Sequence, residues 1–135
     1  MSKILSISAI CLALLIFLSC DNDEGKLPDI SFKTGGSYVS SDVTLDGSAA
    51  FTVGINASKT EDKDVLKQFN ISKSVNGAAN TSVFNKSLSG AEGDNFSFDF
   101  NSTVDNNPGQ KSKYTFTITN RDGLTNQVAL TVITK

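Results

Sequence analysis

Any chemistry in this 135-residue chain has to run on oxygen, because it contains no histidine and two cysteines, Cys11 and Cys20. Without imidazole the commonest general base is missing, and with it His-dependent triads and the usual zinc ligand sets. Carboxylates and hydroxyls remain. Glu61, Asp62 and Asp64 form the densest acidic group outside the amino-terminal region, and Asp99 stands alone further on. A hydrolase of the glycosidase type needs two carboxyl groups held several ångströms apart across a cleft, and nothing in the spacing of Asp62, Asp64 and Asp99 brings any two together. Calcium takes oxygen ligands from loops. Glu61, Asp62 and Asp64 are interrupted by Lys63 and lack the glycine-hinged acidic pattern of a calcium loop, so a solvated loop is the simpler reading. The expectation is therefore a non-catalytic chain with no cofactor and no metal, whose ligand-binding residues cannot be named from sequence.

Cys20 closes an apolar run, Ile4 to Leu18, that follows Lys3; Phe17, Leu18 and Ser19 stand just ahead of it, and Asp21, Asn22, Asp23 and Glu24 just behind. The run contains Ser6 and Ser8 and falls short of the roughly 20 apolar residues that span a bilayer's hydrocarbon core. A cleaved signal segment fits it better than a retained transmembrane helix. The arrangement resembles the start of a bacterial lipoprotein: small Ser19 suits the position before the cysteine, while Phe17 departs from the leucine usual there. The resemblance implies loss of a signal peptide, residues 1–19, and a thioether-linked lipid at Cys20. It also implies a place in the outer membrane, lipid-anchored and at the cell surface, with a periplasm-facing orientation as the alternative. Each buried methylene of the acyl chains contributes about 0.8 kcal/mol, so two or more chains anchor stably. In some lineages an Asp directly after the lipidated cysteine retains a protein at the inner membrane; in others an acidic cluster there is an export signal. Asp21, Asn22, Asp23 and Glu24 resemble the second more closely. Residues 20–28 otherwise read as a short acidic tether, solvated and flexible.

Cys11 leaves with the leader and Cys20 is consumed by its lipid, so the expected mature chain has no disulfide although its compartment would permit one. Packing must hold it together. Residues 29–135 are the size of one immunoglobulin-like domain. The formal net charge of −2 is mild, and its charges are scattered, so no footprint for nucleic acid is present.

Apolar residues recur at every second position through most of this body, the signature of strands with one face buried. Phe51, Val53, Ile55 and Ala57 share a face, with Thr52, Gly54 and Asn56 on the reverse; Phe69 and Ile71 form a second such face, and Phe96, Phe98 and Phe100 a third. Tyr114, Phe116 and Ile118 alternate with threonines, and Val128, Leu130 and Val132 end the chain. Weaker strands are expected over residues 30–33, 37–45 and 81–88. Gly35-Gly36, Asn76-Gly77, Pro108-Gly109 and Asp122-Gly123 supply turns between them, Asn-Gly suiting a type I′ hairpin. The stretch from Thr60 to Leu66 is too short for a packed helix and is taken as a loop. The pattern predicts an all-β, immunoglobulin-like antiparallel sandwich of about seven strands.

The run from Tyr114 to Gly123, followed by Val128 to Val132, resembles the last hairpin of bacterial immunoglobulin-like and polycystic-kidney-disease-type domains. Where that second family carries a tryptophan-bearing signature this chain reads Gln68-Phe69-Asn70-Ile71-Ser72, so the resemblance implies the sandwich and no binding residues. Tyr114 is placed either for a tyrosine corner, its hydroxyl on upstream backbone, or for an ordinary strand position. With no tryptophan present, Tyr38, flanked by Ser37, Ser40 and Ser41, is the aromatic best placed to stay exposed. Three readings of function follow. The favoured one is a binding or adhesion module for a protein or polysaccharide partner, anchored in the membrane through its lipid; the others are an accessory subunit of an outer-membrane assembly and a small hydrolase.

Overall fold

The computed structural model describes residues 25–135, so Cys20 and the acidic residues Asp21, Asn22, Asp23 and Glu24 lie outside the described residues. The described residues form eight strands: β1 (Asp29–Phe32), β2 (Val43–Leu45), β3 (Ala50–Ser58), β4 (Leu66–Val75), β5 (Thr81–Ser87), β6 (Asn95–Thr103), β7 (Lys111–Asn120) and β8 (Thr125–Thr134). They make two sheets, one of three strands ordered β1-β3-β6 and one of five ordered β2-β8-β7-β4-β5. Every pairing is antiparallel except β2 with β8. This is the all-β sandwich that the alternation predicts. One 3₁₀ turn, Gly90–Gly93, leads into β6.

The predicted faces close on each other. Phe51, Val53, Ile55, Ala57 and Phe96 from the small sheet meet Phe69, Ile71, Tyr114, Phe116, Ile118, Leu130 and Val132 from the large one, all buried. Phe69 stands at the centre, its ring centroid 5.2 Å from that of Phe96, 5.5 Å from Phe98 and 6.1 Å from Phe84. Edge-on and tilted aromatic contacts of this kind add to burial itself, which contributes about 1.5–3 kcal/mol for each such side chain.

Two details differ from the sequence reading. Residues 37–45 do not make one strand: Tyr38 bridges Thr52 of β3, and the chain then crosses to join β8 as β2. Only the second part of this run is a strand, so one edge segment serves both sheets in turn. Tyr114 is 3 % exposed with its ring beside the Lys73 ammonium, and among the described residues its hydroxyl makes no bond to backbone, so it is a core residue and no corner. The hairpin signal at Asn76-Gly77 was local and holds, with φ of 51° and 78° at the two residues and a bond from Ala78 N–H to the Val75 carbonyl. Among the described residues no helix is long and apolar enough to cross a membrane.

Candidate functional site

The outward face of the small sheet is built from the polar halves of three alternating strands. Their register places Asp29, Ser58 and Asn95 in one row across β1, β3 and β6, and Ser31, Asn56 and Ser97 in another. Apolar side chains of the intervening rows point into the core, so hydroxyls, amides and one carboxylate cover this end of the face. Here the surface is concave: a cavity of about 570 Å³ is lined by these six residues together with Ile30, Ala57 and Phe96 of the row between them. Its side chains are hydrogen-bonding groups of both donor and acceptor type, arranged on a rigid ladder.

Further along the same face the sequence's lone glycine in a strand interior, Gly54, acquires a purpose. A β-carbon there would stand 2.6 Å from Lys33 Cδ, 2.7 Å from Tyr38 Cε1 and 3.0 Å from Asp99 Oδ1. The missing side chain lets three groups lie on the strand. Lys33 Nζ donates to Asp99 Oδ1 at 2.7 Å, and the Tyr38 hydroxyl donates to Asp99 Oδ2 at 3.1 Å. The Lys33 bond, with that of Tyr38, holds the Asp99 carboxyl below the usual carboxylate range, and the same bond raises Lys33. The ammonium also sits 5.6 Å from the Tyr38 ring centre. Tyr38 is thus half-buried and engaged, a correction to the exposed aromatic expected from its polar neighbours.

The carboxylates singled out in the sequence fall into three separate environments. Asp99 belongs to the cluster over Gly54. Asp62 is fully exposed and 3.8 Å from Lys59. Asp64 is 2 % exposed, its side chain turned inward at the base of the loop between β3 and β4. Glu61, Asp62 and Asp64 therefore form no common cage, and among the described residues no group of three or more acidic or thiol side chains converges. What the sequence missed is the outer face of the small sheet, whose residues carry no motif; period-two alternation placed Thr52, Gly54 and Asn56 on a polar face without saying which strands would align beside them.

A second region concerns the entry of the chain. The carbonyls of Lys26, Leu27 and Pro28 accept in turn from Asn120 Nδ2 at 3.2 Å, the Thr60 hydroxyl at 2.9 Å and Asn126 Nδ2 at 2.9 Å. Pro28 is wholly buried. The last three residues of the segment read as a tether are fastened to the sandwich.

No protein-family model matches the sequence, and no curated protein does. Among solved structures, the chain is similar to a chain of the complex between zinc 2-glycoprotein and prolactin inducible protein from human seminal plasma. The identity is 9 %, the TM-score 0.47, and the match covers 85 % of this chain and 99 % of that one. It is also similar to the sporulation control protein Spo0M from Bacillus subtilis, at 7 % identity and a TM-score of 0.47, covering 84 % of this chain and 51 % of that one. The chain thus spans about half the length of the Spo0M chain.

Proposed function

We propose that this is a non-catalytic, lipid-anchored module of the bacterial cell envelope that holds a polysaccharide against the outer face of its small sheet. The observation that carries the reading is the concave patch of Asp29, Ser31, Asn56, Ser58, Asn95 and Ser97. Amides and hydroxyls fixed on paired strands match the alternating donors and acceptors of sugar hydroxyls, and a rigid platform limits the ordering cost of binding. The amino-terminal features supply the anchor: lipid on Cys20, export through Asp21, Asn22, Asp23 and Glu24, and display at the outer surface.

A second reading, an accessory subunit of an outer-membrane assembly, draws on β5. It is an edge strand of the large sheet, and Val83 on it is 45 % exposed. Such an edge offers backbone groups for strand addition by a partner.

Intact cells producing the protein test the first reading against a panel of immobilised polysaccharides. Cells with the wild-type chain are expected to be retained on at least one of them. Asn56→Trp, which fills the patch, should abolish retention while the protein stays in the membrane fraction, and Cys20→Ala should release it into the medium. Retention that survives Asn56→Trp, or membrane attachment that survives Cys20→Ala, would overturn the corresponding half of the proposal.

A further inference from the structure

Asp64 Oδ2 is buried and, among the described residues, has no hydrogen-bond partner. A carboxylate oxygen buried without a hydrogen-bond partner is a feature that proteins normally avoid or offset. Among the described residues neither Asp64 nor Asp122 forms an ion pair. The two carboxylates nevertheless converge. Over Gly25, at the point where a β-carbon would stand, Asp122 Oδ2 is 3.0 Å away and Asp64 Oδ2 3.3 Å away. Both oxygens face one point above Gly25, and a buried carboxylate near a second carboxylate favours something positive between them.

The surroundings are built and held. Asp64 follows a turn in which its N–H bonds the Glu61 carbonyl at 3.1 Å, and the next residue's carbonyl accepts from Arg121 N–H at 2.8 Å. Asn120, 2 % exposed, receives the N–H groups of Asp122 and Leu124 on its Oδ1, each at 3.0 Å, while its amide holds the Lys26 carbonyl. One side chain therefore shapes the β7–β8 turn that presents Asp122 and straps down the segment that presents Gly25. The positive side chains on these same segments, Lys26, Lys63 and Arg121, are all exposed.

We infer that Asp64 and Asp122 are the charged ligands of a divalent cation site for calcium, at the end of the sandwich where the chain enters it. Calcium accepts carboxylate, carbonyl and water oxygens in a flexible shell of six to eight, which suits two carboxylates backed by loop backbone. The ion would neutralise the pair and tie three segments together: the chain entry at Gly25, the loop ending at Asp64 and the turn at Asp122. This does not depend on the polysaccharide reading, which concerns the outer face of the small sheet.

Calorimetric titration of calcium chloride into the chelator-treated, detergent-solubilised full-length protein, paired with thermal unfolding, decides it. Binding is expected, with the melting temperature rising by about 10 °C at calcium about a hundredfold above its dissociation constant. Asp122→Asn, at an exposed turn position, should fold and weaken affinity by about tenfold or more; Gly25→Ala should weaken it in the same direction. No heat and no shift with the wild-type chain would overturn the site. An unchanged response in Asp122→Asn would overturn it too, and this variant keeps the test decisive if Asp64→Asn fails to fold.

Discussion

The two ends of the sandwich treat a shielded aspartate in opposite ways. At the end away from the chain entry, Asp105 Oδ2 accepts from Lys73 Nζ at 2.7 Å and from Gln110 Nε2 at 2.6 Å, and Gln110 in turn reaches Ser112 and Asn107. Its carboxyl is pulled below the usual carboxylate range by Lys73 first and Gln110 second. At the entry end Asp64 is more deeply buried and its Oδ2 meets no donor among the described residues. A compensated carboxylate is explained by structure alone; an uncompensated one asks for a ligand.

The contrast can be broken from either end. The largest effect is expected from Asn120→Ala, which strips a buried side chain from the Lys26 carbonyl and from the N–H groups of Asp122 and Leu124. A loss of about 2–3 kcal/mol is expected in urea unfolding, with early proteolysis at the amino-terminal segment. A normal midpoint would show that the chain entry is held by Thr60, Asn126 and the buried Pro28 without Asn120.

At the opposite end Lys73→Met should lower stability by about 1–2 kcal/mol near neutral pH, since Asp105 is partly exposed and solvent screens the pair. The pH dependence carries a sign. Burial lowers Lys73, but Asp105 and the nearby Tyr114 more than offset it and its net shift is upward. Its contribution is therefore complete below the ordinary lysine range and lost as pH rises through the raised folded value. Asp105 contributes above the ordinary aspartate range and loses that as pH falls through its lowered folded value. Unfolding midpoints measured across pH should show both limbs flattened in Lys73→Met.

The smallest effect sharpens the comparison most. In the presence of chelator, Asp64→Asn should change stability by no more than about 0.5 kcal/mol, or raise it, because it removes a buried charge that no partner among the described residues neutralises. Asp105→Asn, made in parallel, should destabilise. Equal losses from the two would show that Asp64 is compensated after all.

Most of the fold was legible without coordinates. The inward faces of β3, β4, β6, β7 and β8 follow from period-two alternation, and the turn at Asn76-Gly77 follows from residues that tolerate positive φ. The switch of residues 37–45 from one sheet to the other was not legible, because Tyr38 and Val43 make equally good strand residues beside either sheet. The candidate site was half visible. Alternation assigns Asn56 to a polar face, while the cavity it lines with its neighbours depends on how three strands align and curve.

The sequence by itself determined that the body is an all-β sandwich without disulfides, that imidazole chemistry is absent, and which strand faces are wet or dry. These are properties of neighbouring residues, set by backbone period and side-chain type. The tertiary structure alone decided that Gly54 seats Lys33, Tyr38 and Asp99, that residues 26–28 are strapped to the sandwich, and that Asp64 and Asp122 meet over Gly25. Those groups sit in segments far apart along the chain, two of them in aperiodic loops, and only the closing of the two sheets fixes the distances between them.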